Sequence, residues 1–424
     1  MPSKPRLALL PLLLAAAAAP AFAQLQTGEQ ATAEQVAAGE VPAAAVDERE
    51  KVHRSIQDPA LTPQWTPRAA AELLEYIRQV GEEGLDPVDY QPEILRAALD
   101  GRDPAALSTA ATNSFLRLSA DLALGHVSEE GRVAWHLPDS ELDSTEQYSM
   151  MQRAIRNDSV RDMLSSLLPT HPQYAELKGV LATTTDPAVR DKARVNLERW
   201  RWLPRDLGQR YVIVNVPAYT VALVEDGQVV TRHRAVVGAP KTATPQLAAL
   251  ATGVIFNPWW EVPASITPEV RGKRGYKAVK TEQGGVRYRQ PPGASNALGR
   301  MKVVMPNSYA IYLHDTPAKA LFKKPARAFS HGCIRTENAL DFAQILLGNP
   351  EWDHARIRQT IAEGKTVKAD AVIPTPVYIT YFTAAASKDN GGIIAYNDIY
   401  GRDATVATAL NEGDGKTALA STGN

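Results

Sequence analysis

The apolar period of this 424-residue chain changes once, near residue 205, and that change constrains the fold more than any other feature. Before it, apolar residues recur at helical spacing: Leu73, Leu74, Ile77 and Val80, then Phe115, Leu118 and Leu122, then Leu164–Leu168 and Tyr174–Val180. Thr66-Pro67 reads as an N-cap followed by proline at the first helical position, Pro92 opens a second helix that stops at Gly101, and the third ends near Gly125. A long helix through Asn196-Leu197-Glu198-Arg199-Trp200-Arg201-Trp202 ends at Pro204. After it the period becomes two. Tyr211–Val216 and Tyr219–Val224 are β-rich, and Asp226-Gly227 turns the second into Val229–Val237. The chain is therefore read as α+β: a helical N-terminal domain over 65–204, with no titratable cluster that suggests chemistry, followed by a β-rich domain over 205–385. Pro376–Phe382 is the last expected strand.

The two ends read differently from the middle. Lys4 and Arg6 precede the apolar run Leu7–Ala19, and Ala21-Phe22-Ala23 has the small-residue pattern of a cleavage site. Residues 1–23 thus carry the pattern of a secretory signal peptide, and no other stretch is apolar for long enough to cross a bilayer. Residues 24–64 lack the aromatic residues a core needs until Trp65, and read as a flexible leader. Residues 386–424 form a C-terminal extension whose Gly-, Ala- and Thr-rich tail, after about Leu410, is expected to be disordered. An exported protein, periplasmic or cell-wall associated, follows from this reading. The formal net charge of −1 offers nothing to nucleic acid or to an anionic membrane. Nothing in the sequence specifies an oligomeric state.

Cysteine usage points to the site. Exported proteins pair their cysteines or avoid them, yet this chain has one, Cys333. It lies in Ser330-His331-Gly332-Cys333-Ile334-Arg335, just before a helix expected over Glu337–Leu347 with Thr336 as N-cap and Gly348-Asn349-Pro350 as stop. Three features would favour a thiolate there: helix amides and dipole, the Arg335 cation, and a histidine to take the proton. Gly332 admits close approach of a substrate, and the Gly332 and Cys333 amides offer an oxyanion hole. His314 lies 333 − 314 = 19 residues earlier, at the end of a strand expected over Tyr309–Leu313. Duller explanations stand beside these. Cys333 can be a small buried residue and His331 a structural histidine. His314, His331 and Cys333 as zinc ligands lack an evident fourth. Lys319, Lys323, Lys324 and Arg327 read as a solvated face.

His314-Asp315-Thr316 followed by Ser330-His331-Gly332-Cys333-Ile334-Arg335 resembles the signature of the YkuD-type L,D-transpeptidases. Leu167-Leu168-Pro169, Tyr174, Asn196 through Pro204, Thr244-Pro245, Asn257-Pro258, Val262–Ile266, Gly293, Asn296–Gly299 and Pro376-Val377 resemble the large YcbB-like branch. The resemblance spans about residues 65–410. It implies a helical scaffold domain and a β-rich catalytic domain carrying a loop-rich capping insertion near 258–300. It also implies Cys333 as nucleophile, His314 as proton acceptor and donor, and Ser330, His331, Gly332, Arg335 and Asp315 as residues lining or orienting the site. The implied partner is the tetrapeptide stem of peptidoglycan, with no cofactor and no metal. Transpeptidation, carboxypeptidase or endopeptidase action, and amino-acid exchange share this chemistry. A non-catalytic wall-binding scaffold is the reading from a different class. Two departures stand out. Only about Leu181–Arg190 occupies the place where many YcbB-like enzymes insert a peptidoglycan-binding module, and Asp315 stands where many YkuD members have Gly.

Overall fold

Thr66 opens the first helix as its sequence predicts. The Thr66 side chain accepts a hydrogen bond from the Ala69 N–H, and Pro67 fills the first helical position of α1 (Pro67–Gln79). This is a computed structural model, and it describes residues 62–137, 142–281, 284–387 and 391–412. The expected signal peptide over 1–23, nearly all of the 24–64 leader and the tail beyond 412 lie outside the described residues. An Asp cap with proline behind it recurs at α3 (Pro104–Leu124) and α7 (Pro187–Arg201), where Asp103 and Asp186 each accept from the first-turn amides. Between them run α2 (Pro92–Asp100), α4 (Ser144–Arg156), α5 (Val160–Ser165) and α6 (Pro172–Thr183). The residues spaced at helical period do the packing: Leu73, Ile77, Phe115, Leu118, Leu122, Leu164 and Leu177 are fully buried.

Periodicity did not reveal a polar core among these helices. Glu198 and Arg201 form a fully buried ion pair at 2.7 Å. Glu198 also accepts from the Val127 N–H and the Trp202 indole, while Arg201 donates to the Glu83 carbonyl and the Tyr174 hydroxyl. These groups partner one another, so the cluster is structural. Removing one member leaves a buried charge unpaired, at a cost of about 3–5 kcal/mol.

Among the described residues ten strands form one mixed sheet, nine from the β-rich region and β1 from the helical region: β1 (Trp135–His136), β2 (Arg210–Asn215), β3 (Thr220–Glu225), β4 (Gln228–Gly238), β5 (Gln246–Phe256), β9 (Met301–Val304), β10 (Leu313–His314), β11 (Ala328–Ser330), β12 (Ile334–Thr336) and β13 (Val367–Thr380). Because β5 pairs with both β13 and β9, the path β5-β13-β2-β3-β4-β12-β10-β9 returns to β5 and closes, leaving β1 and β11 attached to it. Closure removes the free strand edges that an open sheet would expose. The expected hairpins fall into place through β2, β3 and β4. Helix α9 (Ala339–Leu347) buries Phe342, Ala343, Leu346 and Leu347 in the same core as Val212, Val254, Met301, Leu313 and Ile334. Helix α10 (His354–Glu363) adds Ile357. The insertion has a sheet of its own, in the order β6 (Trp260–Glu261), β8 (Val286–Gln290), β7 (Lys277–Lys280), with one short helix, α8 (Thr267–Val270).

Three expectations need correction. Only Leu313–His314 of the Tyr309–Leu313 segment and its following histidine is strand, because Asn307 caps the preceding backbone into a turn. The final strand begins at Val367 and not Pro376, since its first half pairs with β5 outside the apolar stretch. The helix after the cysteine begins at Ala339. Thr336 belongs to β12, held opposite Ala235, and left-handed Asn338 occupies the cap position.

The helical region and the barrel are joined through α7 and the C-terminal segment. Asn196 exchanges two hydrogen bonds with Thr383, and Arg199 reaches Thr383 and Asp403. Trp200 stacks on Phe382 with ring centres 4.4 Å apart. Strand β1 extends the sheet by pairing parallel to β5. The C-terminal extension carries ordered structure, a hairpin of β14 (Ala384–Ala386) and β15 (Ile393–Ala395) and helix α11 (Asp403–Asn411).

Candidate active site

Strand alternation brings the key residues together. Strand β10 pairs parallel to β12, with Leu313 opposite Ile334 and His314 opposite Arg335. Leu313 and Ile334 are fully buried in the barrel core. The adjacent residues therefore face the other way, and alternation gives His314, Arg335 and Cys333 a shared face. Two motifs separated in sequence meet on adjacent strands.

His314 is buried, and its Nδ1 lies 2.5 Å from the backbone carbonyl of Asp315. A carbonyl only accepts, so Nδ1 carries the proton and Nε2 is left as the acceptor. Burial, and then the Arg335 charge, push the imidazolium down to about 4. The ring is thus a neutral base at neutral pH.

Cys333 is partly exposed, and its Sγ donates to the Ala310 carbonyl at 3.6 Å. Ala310 holds a left-handed backbone at φ 53°, which for alanine costs about 1–2 kcal/mol. Asn307 supports this turn: its side chain bonds Met305 and Ile311 on both sides of it. Burial pushes the Cys333 thiol up, while the Tyr312 amide, Lys302 and Arg335 pull the other way without prevailing. The sequence expectation of a ready thiolate on a helix N-terminus is therefore corrected. Cys333 lies between β11 and β12, with a strand before α9, so it does not stand in the first turn of that helix.

The other motif residues divide into two groups. Ser330 is buried, donates to the Cys333 carbonyl at 2.6 Å and accepts from the Gly332 N–H at 3.1 Å. That bond engages one of the two amides expected to form an oxyanion hole. Gly332 sits at φ 114°, which favours glycine. Arg335 is half-buried, with burial holding its guanidinium below the usual range, and its Nε has no hydrogen-bond partner among the described residues. His331 is half-exposed and bonds Glu269 of α8 at 3.0 Å, so it links the nucleophile loop to the insertion. The Asp315 carboxylate accepts from the Arg300 N–H and pairs with Lys319, at the base of the insertion. A Cβ at Gly299, which is in the left-handed region, would lie 2.5 Å from that carboxylate. Asp315 thus orients His314 through its backbone and braces the insertion through its side chain.

Two supports were not singled out by the sequence. Thr244 is fully buried; its hydroxyl donates to the Gly332 carbonyl at 2.7 Å and accepts from the Gly238 N–H at 2.9 Å. Tyr400, from the C-terminal segment, accepts from the Thr244 N–H and donates to the Gly238 carbonyl. Their only sequence signal was the Thr244-Pro245 resemblance. Thr244→Val keeps the shape and strands two buried backbone groups, each costing about 1–3 kcal/mol. A melting temperature several degrees lower, together with slower modification of Cys333, is expected. An unchanged melt would remove Thr244 from this role.

Among the described residues no group of three or more His, Cys, Asp or Glu side chains has a metal-binding arrangement, and no helix is long and apolar enough to cross a membrane.

Residues 209–379 match the model of the YkuD L,D-transpeptidase catalytic domain, and residues 52–181 match the Scaffold domain. A Haemophilus influenzae chain named as a candidate L,D-transpeptidase is 31% identical over 287 residues, covering 60% of this chain and 58% of that one. The match therefore spans less than two thirds of that relative's length. An L,D-transpeptidase from Mycobacterium smegmatis is 17% identical with a TM-score of 0.24, covering 41% of this chain and 58% of that chain. L,D-transpeptidase 3 from Mycobacterium tuberculosis is 13% identical with a TM-score of 0.22, covering 41% and 61%. His314 and Cys333 both lie inside the span that matches the YkuD L,D-transpeptidase catalytic domain, and the Scaffold-domain match precedes it.

Proposed function

We propose that the protein is an exported L,D-transpeptidase, periplasmic or cell-wall associated, that cross-links peptidoglycan stem peptides through a thioester on Cys333. The observation that carries this reading is the pairing of β10 with β12, which sets a neutral, carbonyl-tethered His314 on the face that bears Cys333. His314 Nε2 takes the thiol proton as Sγ attacks the carbonyl carbon of the third stem residue. The tetrahedral intermediate collapses, the bond to the terminal D-alanine breaks, and the departing amine takes the proton back from His314. An amine of a neighbouring stem then attacks the thioester, passes its proton through His314, and returns the thiol as the C–S bond breaks. In this reading Arg335, half-buried beside Cys333, binds a carbonyl or carboxylate of the stem.

Purified protein is to be mixed with tetrapeptide-bearing muropeptides and the products separated by mass. D-Alanine release with cross-linked dimers supports the proposal. Release with only tripeptide products would make the protein a carboxypeptidase using the same nucleophile, and exchange of added D-amino acids would make it an exchanger. No release at all would leave only a wall-binding role.

A further inference from the structure

Lys302 lies outside both motifs, in β9 and directly opposite His314. Its neighbours Met301 and Val303 are fully buried in the barrel core, so alternation turns Lys302 to the face that carries His314 and Cys333. Residues paired directly across antiparallel strands place their Cβ atoms about 4.5–5.5 Å apart. The ammonium packs against an aromatic ring. Its Nζ sits 3.4 Å from the centre of the Tyr312 ring, a cation–π contact that fixes it beside β10. Tyr312 is also the residue whose carbonyl accepts the Ile334 N–H, so it flanks Cys333 across the strand pair.

From this arrangement we infer that Lys302 is a positioning cation for the Cys333 sulfur, stabilising negative charge on Sγ as its proton leaves for His314. The inference rests on Cys333 being the nucleophile of the proposed reaction. The surroundings divide the work between two cations. Arg335, on β12 and two residues beyond the cysteine, is half-buried, and its buried Nε has no hydrogen-bond partner among the described residues. Lys302 is held by an aromatic ring. Around Sγ the charged or titratable groups are Lys302 of β9, Tyr312 just before β10 and Arg335 of β12, with His314 opposite Arg335 on the neighbouring strand. Around Lys302 stand Cys333, Tyr312 and, from the insertion, Glu261 of β6. Around His314 stand Arg335, Lys302 and Asp315, whose carboxylate is paired with Lys319. Burial holds the Lys302 ammonium below its usual range, and Cys333 and Glu261 oppose that, as expected if sulfur and ammonium share one low-dielectric site. The sign follows directly. Removing a nearby cation makes the thiolate harder to form, so the thiol ionises at higher pH.

Because Cys333 is the only thiol, its ionisation can be read without any substrate. The rate of iodoacetamide alkylation is to be measured across alkaline pH for the full chain, for Lys302→Met and for Lys302→Arg. The midpoint for Lys302→Met should rise by about one pH unit, lowering alkylation near neutral pH about tenfold. Lys302→Arg should recover most of that loss. A Lys302→Met protein with unchanged melting and a curve that overlies the wild type would overturn the inference, as would an arginine variant no better than methionine. Lys302→Gln gives the same comparison should the methionine variant fail to fold. Alkylation reports the thiol whether or not stem peptides are substrates. Normal alkylation with no D-alanine release would count against the proposed function and leave the role of Lys302 standing.

Discussion

Cys333→Ala is expected to eliminate both D-alanine release and covalent labelling by carbapenems, with folding unchanged. Nothing else in the chain can replace the sulfur, because Cys333 is the sole thiol and the neighbouring Ser330 hydroxyl is committed to the Cys333 carbonyl and the Gly332 amide. Losing a nucleophile that acts as a unit with its base typically removes about six orders of magnitude of turnover. The side chain is small and only partly buried, so the melting temperature should move little. A carbapenem adduct on the alanine variant would overturn the assignment of the nucleophile.

His314→Ala is expected to slow acylation by about 10²–10⁴-fold. The thiol is pushed up by burial, so at neutral pH the reaction depends on a base that removes its proton during attack. The neutral His314 ring, tethered by Nδ1, supplies that base. The pH profile follows from the sign of its shift. Its conjugate acid is held down to about 4, so the ring stays unprotonated above roughly pH 5 and the acid limb of acylation should lie near 4 and not near 6.5. Stopped-flow acylation from pH 3.5 to 8 would display it. His331→Ala should cost far less, since that ring is half-exposed and bonds Glu269. A dead His331 variant beside an active His314 variant would exchange the two roles.

The helices were legible because their signals are local. Thr66-Pro67, Pro92 and Gly101, and the apolar spacing around Phe115, need no distant partner, and each falls where the structure has it. The β2–β3–β4 hairpins were legible for the same reason, through Asp226-Gly227. The site was legible only in part. Cys333 and His314 stood out by residue type and motif, but their electrostatics depend on strand pairing that no local pattern encodes. Placing Ile334–Thr336 in a strand takes Cys333 away from the first turn of the helix, and burial reverses the expected ease of ionisation. Lys302 and Tyr400 escaped notice, and Thr244 was named only within the resemblance, because a single lysine, threonine or tyrosine shows no role until β9, the loop before β5 and the C-terminal segment close around the cysteine loop. The Glu198–Arg201 pair likewise carried no local signal that its two charges are buried.

The central claim is a thioester on Cys333, and intact-protein mass spectrometry with a tetrapeptide-stem donor and no acceptor tests it most directly. The account predicts a protein heavier by the donor minus D-alanine, with fragmentation placing the added mass on Cys333 and hydroxylamine removing it. D-Alanine released while the thiol stays titratable and unmodified, or the adduct found on any other residue, would contradict it.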